Sequence, residues 1–181
     1  MIIRPVTSSD IAEVAAVQAA SWKAAYRGLM PDAGLDAVSA TDFAHDWRIL
    51  VNDASRSNLL VEYEGRVAGY VSFGPGHDTD VSGQAAGEIH GLYLAPAYWR
   101  MGLGRALCQA AVQSLWGAGY HVIVLWVLSG NMQARGFYER AGFALEPGRE
   151  KTVRKFGADL HHVRYRMTAW ATPQTSRNDN A

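Results

Sequence analysis

Residues 88–107, EIHGLYLAPAYWRMGLGRAL, most constrain what this chain can fold into. A strand-like run enters an aromatic loop with two glycines one residue apart, and good helix formers follow from Leu103 to Trp116. A strand that turns directly into a helix belongs to an α/β layer. The tight loop directs the first free N–H groups and the positive end of the helix dipole toward one point. That point is an anion site, with phosphate its natural guest. Gly102 and Gly104 remove side chains that would keep an oxygen from the backbone, and Arg100 and Arg105 add charge at the rim. A turn glycine beside a close helix–sheet contact accounts for the pair equally well, so the surrounding motifs must decide.

Two familiar phosphate loops do not fit. A dinucleotide fingerprint needs a third glycine where Leu107 stands and normally opens the fold, and a nucleoside-triphosphate loop needs Gly-Lys-Ser/Thr. Charge narrows the field further. Seventeen basic and seventeen acidic residues cancel, so no strong field favours nucleic acid or an anionic membrane. The longest unbroken apolar run, Val122 to Leu128, is far short of the ~20 residues that span a bilayer, and MIIRPVTSSD lacks a signal-peptide core. A cytoplasmic protein is expected. The single cysteine, Cys108, sits in an apolar helical pattern and reads as buried core, and the six histidines show no ligand spacing, so no metal is expected.

With 181 residues, 49% of them apolar, the chain can build one core. One domain is expected over residues 1–170, followed by a disordered tail, ATPQTSRNDNA, at 171–181. Ile2–Pro5 reads as a short strand. Asp10 and Glu13 read as a capping box opening a helix that runs to about Tyr26, and Thr41 as the cap of a second helix after the GLMPDAGL loop. NLLVEY and RVAGYVSFG around Glu64-Gly65 make an antiparallel hairpin. Pro75 to Gly87 reads as a mobile loop, and EIHGLYLAP as a strand whose Gly91 marks a bulge. HVIVLWVL, apolar on both faces, is a central strand. A helix over about Asn131–Ala141 and a strand near Val163–Met167 complete the reading.

EIHGLYLAPAYWRMGLGRAL, followed a strand later by NMQARGFYERAGF, resembles the coenzyme A and pantetheine motifs of the GNAT superfamily of N-acetyltransferases. The resemblance covers Ile2 to about Trp170. It implies an acyl-CoA N-acyltransferase fold of α/β (α+β) class, a central bent mixed sheet flanked by helices, with a V-shaped gap between two parallel strands. Acetyl-CoA is the implied acyl donor, lying in that gap. Backbone amides of Met101, Gly102, Leu103, Gly104, Arg105 and Ala106 are the implied pyrophosphate donors. Asn131 and Ala134 are implied coenzyme contacts, and Tyr138 the group pointing at its sulfur. The family loop usually carries Gln or Arg three positions before its first glycine, where this chain has Trp99. The resemblance admits a homodimer and names no acceptor.

The residues agree with that reading on chemical grounds. A bulge frees backbone groups along Leu92, Tyr93 and Leu94 for an extended amide-bearing ligand, which can pair with them as a strand would. Acetyl transfer to an amine needs a neutral nucleophile, a donor for the carbonyl oxygen and a proton for the departing thiolate. Glu88 holds the position that carries the base in several family members, with His90 its rival on the same strand face and a water chain the third route. A protonated Tyr138 phenol suits the leaving thiolate. Trp22 and Tyr26, one helical turn apart, can floor an acceptor pocket and cradle a cationic amine, with Asp32 and Trp47 as further wall candidates. The expectation is therefore an N-acetyltransferase acting on a primary amine of a small molecule or peptide. Set against it are a non-catalytic acyl-CoA-binding regulatory module, a nucleotide-binding oxidoreductase and an interaction domain.

Overall fold

The computed structural model describes residues 1–78 and 86–169. Most of the loop expected at Pro75–Gly87 and all of the tail expected at 171–181 lie outside them. Numbered in chain order, the strands are β1 (Ile2–Pro5), β2 (Ser57–Tyr63), β3 (Arg66–Pro75), β4 (Ala86–Leu94), β5 (Val122–Leu128), β6 (Ala144–Lys155) and β7 (Ala158–Thr168). They form one mixed sheet in the order β1-β2-β3-β4-β5-β7-β6. Among the described residues, β4 and β5 are its one parallel pair. The helices are α1 (Ile11–Ala25), α2 (Asp32–Ala37), α3 (Ala40–Leu50), α4 (Leu103–Gly117) and α5 (Met132–Arg140).

Successive strand residues point to opposite faces, and both faces are covered. Leu60, Val67 and Tyr70 pack with Val14, Val17 and Trp47 of α1 and α3. Their neighbours Val61, Ala68 and Val71 pack on the other side with Leu107, Ala111 and Leu115 of α4. This double burial is why β5 reads as an unbroken apolar run and β3 is buried along almost its whole length. Cys108 lies in the α4 layer, 2% exposed, where burial pushes its thiol up to about 12.

The Glu64-Gly65 hairpin forms with positive φ at both turn residues, 52° and 73°. Other local expectations shift. The capping box sits one turn earlier than Asp10–Glu13. Asp10 accepts from the Thr7 N–H and hydroxyl at 2.8 and 2.7 Å and takes both arms of Arg4 at 2.8 Å, whereas Glu13 accepts from the Val67 N–H. Ser39, not Thr41, caps α3, because its extended backbone brings Oγ to the Asp42 N–H at 3.2 Å. The short helix α2 begins within the GLMPDAGL segment and runs past it. β7 runs well beyond Val163–Met167, and β6 was not expected at all. β6 is an edge strand, almost wholly exposed, and so lacks the apolar alternation that marks a half-buried strand.

Candidate active site

β4 and β5 pair over only four residues each, from Ala86–Val122 to Ile89–Leu125, and then part. Trp126 to Leu128 continue on β7, and Gly91 to Leu94 continue on β3, so each strand keeps its outer partner and loses its inner one. Between Ser72 and Phe73 the β3–β4 register shifts. Ser72 faces Gly91 and Phe73 faces Ile89, which leaves His90 as the extra residue of a bulge. Gly91 is glycine here because a Cβ would lie 2.8 Å from the Tyr93 ring. The parting strands open a cleft of about 910 Å³, lined on one side from β4 and on the other from β5, α5 and β6.

At one end lies the loop before α4. Arg100 and Gly102 both adopt left-handed backbone, φ 64° and 82°, and Gly102 is the helix N-cap. Trp99, the residue that departs from the family pattern, donates its indole N–H to the Leu94 carbonyl at 2.9 Å and ties the loop to the strand end. The Ala106 N–H donates to Gly102 O at 3.1 Å, so its amide is already engaged within the helix. The amides of Leu103, Gly104 and Arg105 precede that first helical bond. Gly102, Gly104, Arg100 and Arg105 line the cleft, while Met101 is solvent-exposed and the Leu103 side chain is core. A Cβ on Gly104 would stand 3.1 Å from Leu94 and 3.6 Å from Phe137, so this glycine also serves helix–sheet contact.

Farther along β4, Glu88 is 8% exposed and lines the same cleft. Burial raises its pKa, but the His90 imidazole, the His77 N–H at 3.2 Å and the Lys151 charge outweigh burial and leave it below the ordinary carboxylate value. His90 Nδ1 is 3.6 Å from Glu88 Oε1, its ring lies tilted against His77 at 5.2 Å, and its buried Nε2 has no hydrogen-bond partner among the described residues. Tyr138 enters from α5, edge-on to Phe137 and Phe143. Burial, then Cys108 and Tyr93, push its phenol well above the ordinary value. Asn131 and Ala134 also line the cleft, but they contact each other: Asn131 Oδ1 caps α5 by accepting the Ala134 N–H at 3.0 Å.

The opposite end is aromatic. Trp22 stands edge-on to Tyr26 at 5.4 Å, and the Tyr26 hydroxyl is 3.3 Å from that of Tyr93, whose side chain joins this wall while Leu92 and Leu94 face the other core. Trp22 Nε1 is buried beside the Tyr93 hydroxyl, with no well-aligned hydrogen bond among the described residues. Two expected wall residues are elsewhere. Trp47 is core, edge-on to Tyr70 and bonded to Gln18, and Asp32 pairs with Arg27 on the surface. The wall is completed instead by strands that sequence reasoning missed or shortened. Lys151, Val153 and Lys155 of β6 alternate onto the cleft face, opposite His162 and Leu160 of β7. The alternation KTVRK before the Phe156-Gly157 turn was the available signal. Lys155 Nζ lies 4.4 Å over the Trp22 ring, occupying the face that Trp22 offered to a cationic amine. Lys151 Nζ lies 4.1 Å over Trp126. Among the described residues no cluster of three His, Cys, Asp or Glu side chains could hold a metal, and no helix is long and apolar enough to cross a membrane.

The family model for the Acetyltransferase (GNAT) family matches residues 21–143. A protein named probable N-acetyltransferase in Mycobacterium tuberculosis is 28% identical over 174 residues, covering 94% of this chain and 95% of that protein. A mycothiol acetyltransferase of Arthrobacter is 33% identical over 106 residues, 58% of this chain but 31% of that protein. The ribosomal-protein-alanine N-acetyltransferase structure from Brucella melitensis superposes with a TM-score of 0.73 at 21% identity, covering 93% of this chain and 99% of that one. The structure of yncA from Salmonella typhimurium with its cofactor acetyl-CoA gives 0.67 at 24% identity, covering 97% and 98%. The structural likenesses show a shared fold.

Proposed function

From the premise that this chain belongs to the GNAT acetyltransferase family, we propose that it transfers acetyl from acetyl-CoA to a primary amine by direct attack in a ternary complex. One observation carries the reading: the cleft that opens where β4 and β5 part, past Ile89–Leu125, is lined both by the glycine loop of α4 and by Glu88. The unpaired inner edges of Gly91 to Leu94 suit the amides of a pantetheine arm, added as a further strand. The amides of Leu103, Gly104 and Arg105, with the Arg100 and Arg105 guanidiniums, suit the pyrophosphate. Along this path the thioester would fall between Glu88 and Tyr138.

Each residue then has one task. The amine nitrogen attacks the thioester carbonyl, and its proton passes to Glu88, directly or through water. Glu88 suits that task because its neighbours keep it anionic at neutral pH. His90, 3.6 Å away, orients the carboxylate. As the carbon–sulfur bond breaks, the thiolate accepts a hydrogen bond from Tyr138, whose raised pKa keeps the phenol protonated. The same high pKa disfavours complete proton transfer, so Tyr138 contributes a modest factor.

Calorimetry with acetyl-CoA, CoA, NAD and NADP, followed by thiol release over a panel of amines, tests the proposal. Micromolar acetyl-CoA binding with amine-dependent thiol release is expected. Binding without release on any amine would favour a regulatory acyl-CoA module, and nicotinamide binding an oxidoreductase.

A further inference from the structure

The acceptor end of the cleft carries a chemistry that the transfer reaction does not require. β6 points Lys151 and Lys155 into it, four residues and so ~13 Å apart. Neither ammonium is ion-paired among the described residues; each rests on an indole face, Trp126 for Lys151 and Trp22 for Lys155. Their surroundings differ. Lys151 acts on Glu88, and part of its charge is answered there. Lys155 stands among apolar groups: Met30, Leu128 and Leu160 form one buried cluster with Trp22 and Tyr26 packed against it, and Val153 flanks the lysine on its own strand. Burial lowers the Lys155 pKa, opposed only by Asp46, an exposed residue of α3. A half-buried ammonium on an aromatic and aliphatic wall is a receptor for an anion that arrives with an apolar body.

Resting on the acetyltransferase reading, we propose that the acceptor is an amine that also carries a carboxylate and an apolar side chain, the chemistry of a hydrophobic amino acid, with Lys155 binding the carboxylate. The amine then faces Glu88, the carboxylate faces away from it toward Lys155, and the side chain lies on Trp22, Met30 and Leu160. This arrangement separates the substrate's anion from the protein's own. It also disfavours polycations, because the Trp22 face that would hold one is filled by Lys155.

Thiol release with acetyl-CoA tests this on matched acceptors: L-leucine, L-methionine and L-phenylalanine, their carboxamides, the amines lacking the carboxylate, and spermidine. Wild-type kcat/KM for at least one amino acid should exceed that for its carboxamide by tenfold or more. Lys155→Met should erase most of that advantage through KM, leaving acetyl-CoA affinity unchanged, and Lys155→Arg should retain it. A purely structural lysine would lower both acceptors alike and leave their ratio intact, which would overturn the assignment. Acetyl-CoA binding with release on carboxylate-free amines or spermidine, but not on amino acids, would also overturn it while the transferase reading stands. A protein that binds no acetyl-CoA in calorimetry loses both readings. The wild-type panel decides the acceptor class even where a variant fails to fold.

Discussion

The two ends of the cleft are built in opposite ways. The donor end is one continuous stretch, β4, loop and α4, and its working parts are mostly backbone, with Arg100 and Arg105 at the rim: parted strand edges, left-handed residues at 100 and 102, and the first amides of a helix. The acceptor end is assembled from α1, early in the chain, and from β5, β6 and β7, in its last third, and its working parts are side chains such as Trp22, Trp126 and Lys155. Every cofactor of one chemistry needs the same backbone path, whereas acceptors differ. A scaffold that puts the shared requirement in the main chain leaves the side chains of the other end free to change.

Substitutions at the seam test that division most severely. Glu88→Gln keeps shape and removes charge, so turnover should fall by ~10²–10⁴ with acetyl-CoA affinity near normal. The sign of its pH dependence follows from the depressed pKa. The carboxylate and the activity that needs it persist as pH falls through the ordinary value of 4.5 and fail only below it; the variant should lose that acid limb. A large loss of acetyl-CoA affinity in calorimetry would instead move Glu88 into the donor end.

At the donor end, Gly104→Val should weaken acetyl-CoA binding at least tenfold, about 1.4 kcal/mol. The Leu94 and Phe137 contacts at 3.1 and 3.6 Å add a stability cost of ~1–3 kcal/mol, visible in denaturant titration. A folded Gly104→Val protein with unchanged affinity would mean that the glycine serves packing alone. Tyr138→Phe removes one hydroxyl, so kcat should drop about tenfold while acetyl-CoA affinity and melting temperature hardly move. An equal loss on Phe137→Leu with none on Tyr138→Phe would assign the aromatic pair to packing.

The smallest effect isolates backbone geometry. At Gly102 an added Cβ meets nothing within 4 Å, yet φ is 82°. Gly102→Ala should therefore cost ~1 kcal/mol of stability from the left-handed conformation, with no steric loss of acetyl-CoA beyond a few-fold. A much larger affinity loss would show that the loop's shape, rather than its openness, sets coenzyme binding.

Local chemistry determined the donor end from sequence alone. Paired glycines before a helix, a glycine inside a strand and an apolar strand buried on both faces each have a conformational consequence that needs no distant partner. Those signals carried the strand–loop–helix and the β4 bulge, whereas Glu88 and Tyr138 followed from the family resemblance; both line the cleft. Only the tertiary structure decided the acceptor end. β6 is an exposed edge strand held by pairing with β7 and therefore has no hydrophobic period of its own, so nothing local assigns Lys151 and Lys155 to a strand face. Trp47 and Trp22 are both helix-face tryptophans in sequence, and only packing sends one into the core and leaves the other on the cleft wall. Cap positions moved for a different reason. Thr7-x-x-Asp10 is as good a local capping pattern as Asp10-x-x-Glu13, and tertiary contacts chose between them: Arg4, brought alongside by β1, holds Asp10, and the Val67 N–H takes Glu13.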